Sequence, residues 1–152
     1  MTCTFFGHRD APQEIEGILR QVLVALIEAR QADTFYVGNQ GKFDRMVARV
    51  LSGLQLEYPH ITYAVVLAYL PGKQEPAAGH NTLYPGGLEG APPRFAIARR
   101  NAWMLQQADW VIVYVSRSVG NAASLQARAE RSGKAVINLW ELGEMKGAGR
   151  GK

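Results

Sequence analysis

The chain has 152 residues, 47% of them hydrophobic, with 17 basic against 13 acidic residues and a net charge of +4. That length predicts one domain with a core large enough to fold alone, and the lone Cys3 excludes an internal disulfide and a cysteine-based zinc site. No basic-then-apolar leader opens the sequence and no apolar run approaches the ~20 residues of a membrane helix, so a soluble cytoplasmic protein is expected.

The first predicted strand, Thr2-Cys3-Thr4-Phe5-Phe6, runs into Gly7-His8-Arg9, and it makes Cys3 a buried thiol. Ala11-Pro12 opens a helix. Its apolar residues Ile15, Ile18, Leu19, Val22, Leu26 and Ile27 form one stripe over residues 13–30. Thr34–Val37 predicts a short strand covered on both faces and runs into Gly38-Asn39-Gln40-Gly41. Residues 43–56 repeat the helical spacing through Met46, Val47, Val50, Leu51 and Leu54. Tyr58-Pro59-His60 breaks it, and residues 61–70 form a β-branched and aromatic third strand. Residues 71–94 hold five prolines and five glycines. A long stretch of that kind is usually functional, and it reads as a lid-like loop beside the strand ends. Residues 95–107 are helical, with Ile97, Ala98, Trp103, Met104 and Leu105 toward the core. The most apolar strand, residues 109–115, runs into Ser116-Arg117-Ser118-Val119-Gly120-Asn121. A helix over 122–132 stops at Gly133, and residues 135–139 form a fifth strand. The glycine- and charge-rich residues 143–152 read as a flexible tail.

This alternation predicts an α/β fold: a Rossmann-like three-layer sandwich with a mainly parallel sheet of about five strands, in one domain over residues 1–142. Trp103, Trp110 and Trp140 exceed what a small core needs, so a homodimer or higher homo-oligomer is expected.

In an open parallel sheet ligands bind at the carboxyl ends of the strands. Three glycine-bearing loops fall there, each before a helix. Glycine lets the backbone approach a ligand, and helix N-termini offer free N–H groups to anions. The pattern predicts a nucleotide or nucleotide-derived small molecule as partner. Gly7, His8 and Arg9 are candidate ligand contacts, Arg9 through its guanidinium fork. Gly38, Asn39 and Gln40 suit ribose or base edges, and Asp44 suits either a helix cap or a sugar hydroxyl. Ser116, Ser118, Gly120, Asn121, Ala122 and Ser124 would wrap a phosphate with backbone N–H groups. Tyr84, in the lid, suits stacking on a base. The loop has neither the GxGxxG nor the GxxxxGK[ST] pattern, which argues against dinucleotide dehydrogenases and P-loop ATPases. No metal and no cofactor are expected.

Phe6-Gly7-His8-Arg9, Tyr36-Val37-Gly38-Asn39-Gln40-Gly41 with Phe43-Asp44-Arg45, Ala98-Arg99-Arg100-Asn101 and Gly133-Lys134-Ala135-Val136-Ile137-Asn138-Leu139 together resemble the SLOG superfamily of Rossmann-like nucleotide-binding domains. The likeness covers roughly residues 2–139 and points to the YpsA-like branch of small bacterial proteins, related to the "lonely guy" phosphoribohydrolases and the DNA-processing protein A core. It implies an ADP-ribose-like or other nucleotide derivative, held at these loops. The leading expectation is a nucleotide-binding protein that acts as a sensor. In the phosphoribohydrolase branch an arginine precedes by nine residues an aspartate that opens the fourth strand, as Arg100 and Asp109 do here. That branch then carries a GGxGTxxE motif whose glutamate cleaves the N-glycosidic bond. Here Ala127 stands in the glutamate's place, with Glu130 one turn further on. The alternative reading is an N-glycosidase acting on a nucleoside monophosphate, with Arg100 and either Glu89 or Glu130 as catalytic candidates. A single-strand nucleic-acid binder is a third reading. It needs a basic groove with exposed aromatics, and the chain has no dense Lys/Arg stripe.

Overall fold

A strand that is apolar on both faces belongs inside a sheet, and β1 (Thr2–Gly7) lies between two neighbours. The computed structural model describes residues 1–69, 81–85 and 92–150. After β1 come a 3-10 turn (Gln13–Ile15), α1 (Glu16–Arg30), β2 (Thr34–Val37), α2 (Gly41–Glu57), β3 (Thr62–Val66) and β4 (Thr82–Leu83). Then follow α3 (Pro93–Gln107), β5 (Trp110–Tyr114), α4 (Asn121–Arg131), β6 (Ala135–Asn138) and α5 (Leu139–Arg150). The six strands form one sheet in the order β4-β3-β2-β1-β5-β6, and every pairing is parallel. The protein is therefore α/β, with the Rossmann-like three-layer arrangement.

Strand periodicity sorts the core into two layers. Cys3, Phe5, Phe35, Val37 and Ile112 face α1, α2 and the start of α5. Phe6, Val111, Val113 and Val115 face Met104 and Leu105 of α3 and Ala122, Leu125 and Ala129 of α4. On the first face, ion pairs between Arg20 and Glu57 and between Arg49 and Glu16 tie α1 to α2 at the surface. Cys3 is fully buried, and burial pushes its thiol up to about 12, so it is an inert core group.

Five strands match the predicted ones, with ends shifted by a few residues. The sixth, β4, lies inside the proline- and glycine-rich stretch and pairs Thr82 with Val65 and Leu83 with Val66. A two-residue strand held by backbone bonds leaves no periodicity to read. The lid reading otherwise falls largely on residues 71–80 and 86–91, outside the described residues, as does Glu89. Ala98 is exposed, whereas Ala96 on the other side of α3 is buried.

Residues 143–150, read from composition as tail, continue α5, and Leu139 begins that helix instead of ending a strand. Asn138 is the reason. Its buried Oδ1 accepts the Trp140 N–H at 3.1 Å, which caps the helix, and the Val115 N–H at 3.1 Å. Its Nδ2 donates to the Val115 carbonyl at 3.0 Å. One side chain thus stops β6, starts α5 and fastens the base of the loop after β5. The three tryptophans are half-buried: Trp103 packs on Tyr36 at 5.1 Å between ring centroids, and Trp110 and Trp140 pack against the first core layer. Among the described residues no helix is long and apolar enough to cross a membrane.

Asn138→Ala strands a buried backbone N–H and a carbonyl of Val115. The expected cost is about 2–3 kcal/mol of unfolding free energy, read from urea midpoints at constant slope. A loss within experimental error of zero would contradict the anchoring role.

Candidate functional site

The chain runs outward from β1 through β2 and β3 to β4, then returns to the other side of β1 for β5 and β6. Connections from β1 and β5 therefore leave in opposite directions, and the strand ends between them are left open. A cavity of about 480 Å³ lies there, lined by Gly7 to Asp10 after β1, Gly38 and Gln40 after β2, and Asp44 of α2. Ile97, Arg100, Asn101 and Met104 of α3 close one side, and Arg117, Gly120, Asn121, Ala122 and Leu125 close the other.

Two helices aim their N-termini at this cavity. Neither the α2 cap Gln40 nor the α4 cap Gly120 supplies a side-chain capping bond. In α4 the Ser124 N–H reaches back to the Gly120 carbonyl at 3.1 Å, so the N–H groups of residues 121–123 lie ahead of the ladder. Gly120 has φ +101°, a conformation strained for any other residue, and a Cβ there would lie 3.6 Å from His8 Cε1. The loop thus folds tightly over the imidazole. His8 is only 5% exposed, and its Nε2 has no hydrogen-bond partner among the described residues.

Arg100 supplies the buried charge. It is 2% exposed, and burial holds its guanidinium below its ordinary value, partly offset by Asp44. An arginine so placed stays charged and needs partners. Its Nε donates to Asn101 Oδ1 at 3.1 Å, and its Nη1 donates to Asn39 Oδ1 at 2.9 Å and to the Val66 carbonyl at 3.5 Å. Three elements fix one face of the fork, and Nη2 bonds to none of the described residues. Arg99, its neighbour, is exposed.

Asp44 is half-buried opposite, and its Oδ2 accepts the Gln40 N–H at 2.7 Å. Burial raises its carboxyl from 3.8 to about 6, against the Gln40 N–H and the charges of Arg100 and Arg45, which lower it. Gly38 makes this juxtaposition possible: a Cβ there would lie 2.9 Å from Asp44 Oδ2 and 3.1 Å from Arg100 Cζ. Even so, no ion pair joins Asp44 to Arg100 among the described residues. At the mouth, Arg117 from the β5 loop pairs with Asp10 from the β1 loop at 3.3 Å.

Of the residues expected from sequence, Gly7, His8, Arg9, Gly38, Gln40, Asp44, Arg100, Gly120, Asn121 and Ala122 meet at the cavity. Asn39 acts one step back, on Arg100. Ser116, Ser118, Ser124 and Tyr84 do not line it; Ser118 and Ser124 are exposed, turned outward by the loop and the α4 face. Glu130 is exposed ten residues beyond Gly120, about 15 Å along the α4 axis, and does not reach the cavity. Sequence reasoning missed Asp10, Ile97, Asn101, Met104, Arg117 and Leu125. The helical phase of 97, 100, 101 and 104 was the available signal for α3. Among the described residues no cluster of three or more His, Cys, Asp or Glu is placed to hold a metal. Comparison with family models and with curated proteins finds no match.

Because the folded state holds Asp44's proton up to about pH 6 while the unfolded chain loses it near its ordinary value of 3.8, stability falls as pH rises through that window. Asp44→Asn removes the cost. It should stabilise the protein by about 3 kcal/mol at about pH 8 and leave it unchanged near about pH 3, read from denaturant midpoints. An equal effect at both pH values would contradict the burial of this charge.

Proposed function

We propose that this protein binds a nucleotide derivative of the ADP-ribose type and acts as a sensor of it. The observation that carries the reading is the convergence of two uncapped helix N-termini and a buried, rigidly held arginine on one cavity at the sheet's switch point. Free N–H groups at a positive helix end and a guanidinium fork favour phosphate. Arg9 adds a further positive charge to the cavity lining. Asn39 and Gln40, at the end of β2, offer amide groups suited to ribose or base.

Hydrolysis of a nucleoside monophosphate is the second reading. Asp44 favours it, as a cavity carboxylate whose proton is held to about pH 6. Glu130 gives it no support.

Thermal unfolding with AMP, ADP, ATP, NAD, ADP-ribose and ribose 5-phosphate tests the reading. A true ligand at 100 times its dissociation constant stabilises by about 2.7 kcal/mol. Arg9→Ala, at an exposed position, should weaken that ligand about tenfold, or 1.4 kcal/mol, without lowering the unfolding midpoint of the free protein. Mass spectrometry of the recovered ligand separates the readings: intact nucleotide supports sensing, and free base with sugar phosphate supports hydrolysis. No stabilisation by any of the six would refute the nucleotide assignment.

A further inference from the structure

Asp44 makes one hydrogen bond where it has room for several. Its Oδ2 accepts the Gln40 N–H at 2.7 Å, and Oδ1 accepts nothing from the described residues although the side chain lines the cavity. An ionised carboxylate has about four acceptor positions. Most of this side chain is buried, its Oδ1 is left facing the cavity, and the protein supplies a single N–H. Burial disfavours the charged form and raises the carboxyl to about 6. The charges acting on it do not remove the deficit. Arg100 reaches it from α3 and Arg45 from its own helix. On the β1 loop, Arg9 packs on Gly41, Asp10 is engaged by Arg117, and His8 sits across the cavity under Gly120.

One of the two phosphate-favouring helix ends lies away from the carboxylate. The α4 N-terminus and Gly120 follow β5, while Gly38, the α2 N-terminus and Asp44 follow β2, with Arg100 beside them. Because β1 lies between those strands, the two sides are separated by two strand spacings, about 10 Å. A negative group seated beside α4 therefore leaves Asp44 facing another part of the same ligand.

We infer that Asp44 selects ligands bearing a hydroxyl or N–H donor on the side away from their phosphate, and that binding such a ligand expels a proton from the cavity. The inference rests on the nucleotide reading and adds a required group and a direction of pH control to it. A donor at Oδ1 supplies the missing hydrogen bond to the charged form, which lowers the carboxyl's pKa on binding. Affinity then rises with pH through the titration of Asp44. A phosphate lodged beside Asp44 would do the reverse, favouring the protonated acid and taking a proton up.

ADP-ribose is the probe, because its diphosphate carries no group that titrates between about pH 5 and 8 and its riboses carry hydroxyls. If binding lowers the Asp44 pKa by about one unit, its dissociation constant should be about fivefold larger near pH 5 than near pH 7. Titration calorimetry of the wild-type protein near pH 6, in two buffers of different ionisation enthalpy, should show proton release. Asp44→Asn, which keeps an oxygen for the Gln40 N–H, should bind with no pH slope and no proton release. Proton uptake, a flat wild-type profile, or a slope surviving in Asp44→Asn would overturn the role of Asp44 and leave nucleotide binding standing. No ADP-ribose binding at any pH would overturn both.

Discussion

Everything at the site depends on the reversal of chain direction at β1. Right-handed crossovers send the helices between parallel strands to one face while the chain moves one way, and to the other face once it turns back. Here α1 and α2 pack on one side and α3 and α4 on the other. β1 and β5 are hydrogen-bonded neighbours from Cys3 and Trp110 to Gly7 and Tyr114, yet no helix crosses directly between their ends. The opening is therefore built by topology, before any side chain is chosen. The side chains then decide its chemistry: α4 points its N-terminus in, α3 brings Arg100 across from the opposite layer, and α2 brings Asp44.

Small residues are the second requirement. Without a Cβ at Gly38, the carboxylate of Asp44 and the guanidinium of Arg100 can both close on the end of β2. At Gly7 the limit is apolar: a Cβ there would come within 2.5 Å of the Phe43 ring, so the first turn of α2 could not sit against the end of β1. Asn138 adds rigidity from behind by bonding both backbone groups of Val115, the residue before the β5 loop. The loop that covers His8 thus departs from a fixed point, and a preorganised loop loses less entropy when it closes on a ligand.

Much of this was legible in the sequence, for identifiable reasons. The β1, β2 and β5 loops announced themselves because a short apolar strand followed by glycine is a pattern of local physics, and helix starts follow at once. Choosing Arg100 over Arg99 took the family resemblance, although the phase of Ile97, Asn101 and Met104 on α3 contains the same answer. The hydroxyls were misjudged because composition says nothing about direction: Ser118 and Ser124 lie beside the cavity in sequence but point to solvent. Glu130 failed for distance along the helix. β4 and the Asn138 cap were hidden for another reason, since each depends on a partner remote in sequence, Val65 and Val66 for one and Val115 for the other.

Charge balance narrows what this cavity can hold. Three arginines and two carboxylates line it, and Arg117 and Asp10 already neutralise each other at the mouth. What remains inside is Arg100 and Arg9 against Asp44, an excess of one positive charge at neutral pH, supplemented by the partial charges of two helix ends. A ligand of one or two negative charges balances that excess. A polyanion would need a continuous basic surface, and the deepest cation here, Arg100, is bonded on one face to Asn39, Asn101 and Val66. Asp44 sharpens the limit, because a second anionic group placed against it must first neutralise it. On the proposed reading the ligand would be negative at one end and a neutral hydrogen-bond donor at the other, and the carboxylate that weakens the free fold at neutral pH would be the group that tells those ends apart.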